Sequence, residues 1–239
     1  MKVLSIGNSF SQDAHRYLHK LAKKEGVSIK TVNLYIGGCS LRTHYLNCLE
    51  NNEKYAFEFN GESTGIYVSI KQALISDEWD VVTLQQASYA SLKFETYSPY
   101  IEYLADYIKK YCPHTKIYIH QTWAYEDGCD SLKNMFGYEK AKEMFEDIRS
   151  SYDQASKLIK AEKIIPSGKA MFNYTKLGPE KIHRDSLHAS FGAGRYLLAL
   201  TWYKALTGKD ITDNNFNEFD VLVSQEEREK VIKAVNNAF

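Results

Sequence analysis

No two cysteines in this 239-residue sequence are spaced Cys-x-x-Cys. The four present, Cys39, Cys48, Cys112 and Cys129, are scattered, so neither a zinc site nor a disulfide framework is indicated. Free thiols in a reducing compartment are the expectation. Net charge is missing too: 30 Lys and Arg offset 30 Asp and Glu, so no overall field attracts a nucleic acid or an anionic membrane. Neither is an expected partner. No apolar run approaches the roughly 18 residues that span a bilayer, and Val3 to Ile6 is far shorter than a signal-peptide core. The chain as given reads as cytoplasmic, with a removed leader as the alternative. No Pro, Gly or Ser-rich linker divides it, and 44% hydrophobic content is enough for a full core, so residues 1–239 read as one domain.

What is present is an alternation of short β-branched runs with longer helical patterns, which argues for parallel strands joined by helical crossovers. The strand candidates are Lys2–Ile6, Ile29–Ile36, Asp80–Leu84, Lys116–His120 and Lys163–Ile165. They predict a three-layer α/β/α sandwich on a five-stranded, mostly parallel sheet. Helical spacing of apolar residues predicts helices over Ser11–Glu25, from Ser98-Pro99 to before Pro113, over Glu139–Lys160 and over Phe191–Leu206, with a closing helix from Ser224 to Asn236. Phe57-Glu58-Phe59-Asn60-Gly61 and Ile66-Tyr67-Val68 break the alternation. They read as a hairpin insertion near 55–69, at the sheet's edge or over the cleft.

Ser9 follows the first strand in Gly7-Asn8-Ser9-Phe10-Ser11, and a serine there can stand in the crevice where open α/β sheets bind ligands. A hydroxyl is a weak nucleophile without a base, and Asp185 and His188, three residues apart, can supply an imidazole held by a carboxylate. Donors for an oxyanion follow the first three strands: the Ser9 N–H, the Gly38 N–H in Gly37-Gly38-Cys39-Ser40, and a side-chain amide in Gln85-Gln86. Gln85 is the first choice and Gln86 the second. Taken singly, each segment reads more simply as a turn, a helix cap or a polar strand end. Their order along the chain is what points to catalysis. Gly-x-Ser-x-Gly is absent around Ser9, as are a Walker loop and a dinucleotide fingerprint, so no cofactor is expected.

The ordered set resembles the SGNH hydrolase superfamily, also called GDSL-like esterases and lipases, from Lys2 to Leu206. Gly7-Asn8-Ser9 stands for the first block, Gly38 for the second, and Asp185-x-x-His188 for the last. The resemblance implies a flavodoxin-like fold and a serine esterase acting through an acyl-enzyme on Ser9, on small esters such as acetyl groups of carbohydrates. Two departures stand out. Asn8 replaces an acidic residue, and Leu84-Gln85-Gln86-Ala87-Ser88 replaces Gly-x-Asn-Asp. Together with Gly-Gly-Cys-Ser and His120-Gln121-Thr122-Trp123-Ala124-Tyr125, these strings look like a poorly characterised bacterial branch of the superfamily.

Two rival readings remain at this stage. Trp123 and Tyr125, after the fourth strand, line a substrate pocket in an esterase, form a sugar platform in a glycan-binding module without catalysis, or simply pack as core. His15, His19, His183, Asp185 and His188 suggest a metal-dependent hydrolase, but His15 and His19 are expected on a solvated or cleft-facing side of their helix, and no metal is assigned. The sequon Asn173-Tyr174-Thr175 carries no weight without an export signal.

Overall fold

The computed structural model describes residues 1–178 and 181–239. In chain order the elements are β1 (Lys2–Gly7), α1 (Ser9–Lys24), β2 (Lys30–Tyr35), α2 (Leu41–Glu50), β3 (Tyr55–Phe59), β4 (Glu62–Val68), α3 (Ile70–Ile75) and β5 (Val81–Leu84). There follow α4 (Tyr100–Tyr111), β6 (Lys116–His120), α5 (Asp130–Asn134), α6 (Ala141–Leu158), β7 (Lys163–Ile165), α7 (Ser167–Tyr174), α8 (Ala193–Thr207) and α9 (Gln225–Asn236).

Among the described residues the sheet has seven strands, ordered β4-β3-β2-β1-β5-β6-β7. The five strands expected from sequence are its parallel part. The hairpin corrects the expected count. Of its two expected places it takes the sheet's edge and continues the sheet there, with β3 pairing antiparallel to β2 from Val32 opposite Phe59 to Tyr35 opposite Ala56. The free backbone groups of β2 need partners, and β3 supplies them.

Alternation along the strands divides the core in two. Val3, Val81, Tyr118 and Ile165 face α1, α7, α8 and α9, while Leu4, Ile6, Val82, Leu84, Ile117 and Ile119 face α2, α3, α4 and α6. Val3, Leu4 and Ile6 of β1 are wholly buried, each worth roughly 1.5–3 kcal/mol of transfer free energy. The helix α8 is buried on nearly all sides, so it is the central element of its layer.

The first of these faces also carries a polar row. Thr83 Oγ1 donates to Ser5 Oγ at 2.8 Å, and Ser5 Oγ meets His15 Nε2 at 2.9 Å. The His15 and His120 rings both stand edge-on to Trp202, at 4.9 and 4.8 Å between centroids. His15 is therefore core, not solvated or cleft-facing as its helical position suggested. Burial pushes its pKa down to about 3.

Connectivity places the site. From β1 the chain crosses to β2 on one side, and β5 later pairs with β1 on the other. The carboxyl end of β1 is thus a topological switch point, where neighbouring connections diverge and leave a crevice.

Candidate active site

The crevice is occupied by the start of α1. Asn8 is the N-cap: its Oδ1 accepts from the Phe10 N–H at 3.0 Å, and Ser11 Oγ accepts from the Asn8 N–H at 3.1 Å. This reciprocal cap satisfies two of the donors that a helix start leaves open. Gly7 is obligatory for the turn, since a Cβ there would lie 2.1 Å from Ser11 Oγ. Ser9 is the first helical residue and half-buried at the strand's end.

Ser9 Oγ lies 2.9 Å from His188 Nε2, across 179 residues of sequence. His188 Nδ1 lies 2.8 Å from Asp185 Oδ2. A carboxylate oxygen can only accept, so Nδ1 carries the proton and Nε2 presents its lone pair to the serine hydroxyl. Asp185 Oδ1 takes the backbone N–H groups of His188 and Leu187, at 2.7 and 3.2 Å. Burial raises the Asp185 pKa, but the His188 N–H, the His188 ring and the Leu187 N–H outweigh it, and the carboxyl is held below its ordinary value. One carboxylate therefore orients both the backbone and the ring of the same histidine.

The Gly37-Gly38 turn follows β2, closed by the Cys39 N–H donating to Ile36 O at 3.2 Å. Gly38 adopts φ +61, in the left-handed region, and the space its Cβ would fill is open. Asn8 Nδ2 donates to Cys39 O at 3.1 Å and so ties this turn to the serine's helix. An aspartate at position 8 could not make that bond. Among the described residues, no group accepts a hydrogen bond from the backbone N–H of Ser9 or of Gly38.

The two glutamines differ. Gln85 Nε2 donates to Asn8 Oδ1 at 2.6 Å, and Gln85 Oε1 lies 2.9 Å from His120 Nδ1. Gln85 is therefore joined directly to the N-cap of the serine's helix, and among the described residues nothing accepts its second amide hydrogen. Gln86 is a structural strut. Its Oε1 accepts from the Leu41 and Ala87 N–H groups at 3.0 and 2.9 Å, and its Nε2 donates to Thr96 O and Oγ1 at 2.9 and 3.2 Å. With its donors committed, Gln86 is withdrawn as the second choice for an oxyanion donor.

Of the three places open to Trp123, it takes the packed one. It is fully buried, stacks on Phe10 at 3.9 Å between centroids with 4° between planes, and donates its indole N–H to Leu187 O at 2.8 Å. No face of the ring is open to a ligand, so it is neither a sugar platform nor a pocket wall. It supports the loop that carries His188 from beneath. Tyr125 is nearly buried, with its hydroxyl 3.2 Å from Ser88 Oγ. It lines a cavity of about 950 Å³ together with Glu126, Phe172 and His183. The Glu126 N–H donates to Ser186 O at 2.8 Å, so this cavity adjoins the His188 loop, although Ser9 and His188 are not among its lining residues.

The imagined metal set does not assemble: among the described residues no group of three His, Cys, Asp or Glu side chains is placed to hold a metal ion. His19 Nδ1 lies against Ile29 O at 2.7 Å, and His183 Nε2 against Ala124 O at 3.1 Å. Among the described residues no helix is long and apolar enough to cross a membrane. Asn8 and His120 are the contributors that sequence reasoning passed over. Asn8 had a signal in its N-cap position, whereas His120, at the buried end of a strand, had none.

Solved structures of the same architecture lie at several distances. A DUF4886 family protein from Bacteroides uniformis is 35% identical, with a TM-score of 0.91 over 100% of this chain and 94% of its own. A candidate SGNH hydrolase from Slackia heliotrinireducens is 22% identical, with a TM-score of 0.62 over 86% and 98%. The acetylxylan esterase Axe2 from Geobacillus stearothermophilus is 15% identical, with a TM-score of 0.60 over 86% and 94%. No curated protein matches the sequence. The fold is that of the SGNH hydrolases, a three-layer α/β/α sandwich. The family described as a domain of unknown function, DUF4886, matches residues 2–237, and the chain belongs to that family.

Proposed function

We propose that the protein is a serine esterase that hydrolyses small acyl esters, acetyl esters of carbohydrates in the first instance, through an acyl-enzyme on Ser9. One observation carries the reading: a half-buried serine hydroxyl 2.9 Å from an imidazole that is itself 2.8 Å from a carboxylate, at the switch point of the sheet. The SGNH-type fold and an acetylxylan esterase among its structural neighbours favour ester chemistry and a short acyl group.

In this mechanism His188 Nε2 takes the Ser9 proton as Oγ bonds to the ester carbonyl carbon. The carbonyl π pair moves to oxygen, and the oxyanion takes hydrogen bonds from the Ser9 and Gly38 N–H groups and the free amide hydrogen of Gln85. Collapse expels the alcohol, which leaves with the proton from Nε2. Water then adds to the acyl-enzyme by the same route, its proton passing to His188 and on to Ser9 as the acid departs. Asp185 keeps the imidazole in the required tautomer and stabilises the imidazolium that forms twice per cycle.

The test is turnover of p-nitrophenyl acetate, butyrate and octanoate by native and Ser9→Ala protein. The reading expects acetate to be cleaved fastest and Ser9→Ala to be inactive. Turnover that survives Ser9→Ala would overturn it, and glycan binding with no turnover of any ester would favour the binding-module reading instead.

A further inference from the structure

Ser9 and Asp13 are spaced i,i+4 on α1, so both side chains leave the same face of the helix. Ser9 reaches His188, and Asp13 reaches the residue four positions earlier on the same loop: Arg184 Nη1 donates to Asp13 Oδ2 at 2.8 Å. The other Asp13 oxygen accepts from Arg195 Nε on α8, again at 2.8 Å. Asp13 is wholly buried, with both oxygens committed to guanidinium groups.

The loop is tight. The Arg184 N–H donates to His188 O at 2.9 Å, the same Nη1 that reaches Asp13 also donates to Ala189 O, and Ser186 sits at φ +65 without being glycine. Gly194 lets α8 approach: a Cβ there would lie 3.0 Å from Ala189 Cβ. The Arg184 and Arg195 guanidiniums both lie over the Phe191 ring, at 4.7 and 4.6 Å. Among the described residues, the hydrogen bonds that join residues 183–190 to α1 are Ser9 to His188 and Arg184 to Asp13.

We infer that Asp13, with Arg184 and Arg195, is a positioning device that holds the His188 loop in register with Ser9, an inference that rests on the catalytic reading of Ser9, Asp185 and His188. The physical reason is the number of fastenings. Loop and helix share two hydrogen bonds, one of which is the reactive contact itself, so the ion pair is the polar fastening between them that persists while the serine–imidazole bond breaks and reforms in each cycle; ring packing of Phe10 on His188 and Trp123 adds apolar support without fixing that distance by a charge. Misplacement by about 1 Å costs on the order of 100-fold in rate.

The experiment compares Asp13→Asn, Arg184→Met, Arg184→Lys and Arg16→Gln, using kcat and KM for p-nitrophenyl acetate, circular dichroism, the rate of Ser9 labelling by a fluorophosphonate and the imidazole ¹H–¹³C NMR signal of His188. Asp13→Asn and Arg184→Met are expected to lower kcat and the labelling rate by about 10- to 100-fold, with KM changed by less than about threefold, and to shift the His188 signal. Arg184→Lys keeps the charge opposite Asp13 and should recover part of the loss. Arg16 bonds Asp220, which in turn takes Arg195 Nη1, so Arg16→Gln removes a pair from the same ionic chain without touching the loop. It should leave kcat and the signal unchanged.

Where Asp13→Asn fails to fold, Arg184→Met decides the question, since Arg195 still covers the carboxylate. Folded Arg184→Met with native kcat and an unmoved His188 signal would overturn the inference, as would equal losses in Arg16→Gln. Ser9→Ala with surviving turnover would instead remove the catalytic reading, and the NMR shift would still report whether the loop is held.

Discussion

Two serine–histidine contacts in this molecule are built alike and fit opposite purposes. At Ser9, the hydroxyl meets His188 Nε2 at 2.9 Å, and Nδ1 is turned to a carboxylate. At Ser167, at the start of α7, the hydroxyl meets His120 Nε2 at 3.1 Å, and Nδ1 is turned to the Gln85 amide oxygen. The second pair is wholly buried, and burial pushes the His120 pKa down to about 3, with the nearby His15 adding to the effect. It has no carboxylate behind it and no access. A hydroxyl near an imidazole is therefore not a catalytic unit. What separates the two is a charge that can stabilise imidazolium and a surface that substrate can reach.

The sharpest test of that contrast is to delete both hydroxyls separately. Ser9→Ala or His188→Ala is expected to lower kcat by roughly 10⁴- to 10⁶-fold with little change in thermal midpoint, because the groups act as one unit. Ser167→Ala is expected to leave kcat within about twofold and to cost about 1 kcal/mol in stability, one buried hydrogen bond. Equal kinetic losses at the two serines would break the comparison.

Replacing Asp185 by Asn, read by the pH profile of kcat/KM, sharpens it further. The rate should fall by about 10²- to 10⁴-fold as the imidazole loses its orienting charge. Next in size comes Gln85→Ala, expected to lower kcat on the order of 10²-fold if its free amide hydrogen meets the oxyanion. Gln86→Ala, by contrast, should act on stability, because its amide is committed to Leu41 and Thr96.

The smallest effect concerns pH. His15, His44 and His120 are wholly buried, with pKa values pushed down to about 3. In the unfolded chain they titrate near 6.5, so between about pH 6.5 and 3 the unfolded state binds protons that the folded state refuses, and stability falls as pH falls. Each contributes a slope of up to about 1.4 kcal/mol per pH unit in that window. Urea titrations of His44→Gln should show a shallower decline than native protein. An unchanged slope would place the acid loss in carboxylates such as Asp220, which its bond to Arg16 holds down at about 2.

The contact of Ser9, His188 and Asp185 was legible in the sequence because its signals are local. A glycine and a short polar residue after an apolar strand can form only a few turns, and Asp185 and His188 share one turn of chain. The five parallel strands were legible for the same reason, each being a short run with β-branched residues set between helical patterns. Trp123 was not, because an aromatic residue after a strand packs or binds according to what covers it, and here Phe10 and the His188 loop cover it. Nor was the choice between Gln85 and Gln86. Neighbours in an extended chain point to opposite sides, and only the surroundings show which side meets Asn8 and which meets Thr96.

By itself, the sequence determined the parallel core, the crossover helices and the identity of the hydroxyl, imidazole and carboxylate, because periodicity and turn chemistry act over a few residues. Tertiary structure alone decided the continuation of the sheet through β3 and β4, the burial of His15 and Trp123, and the pairing of Asp13 with two arginines more than 170 positions away. Those outcomes depend on which surfaces meet across the fold. Burial and charge pairing are properties of such meetings, and no short window of chain contains them.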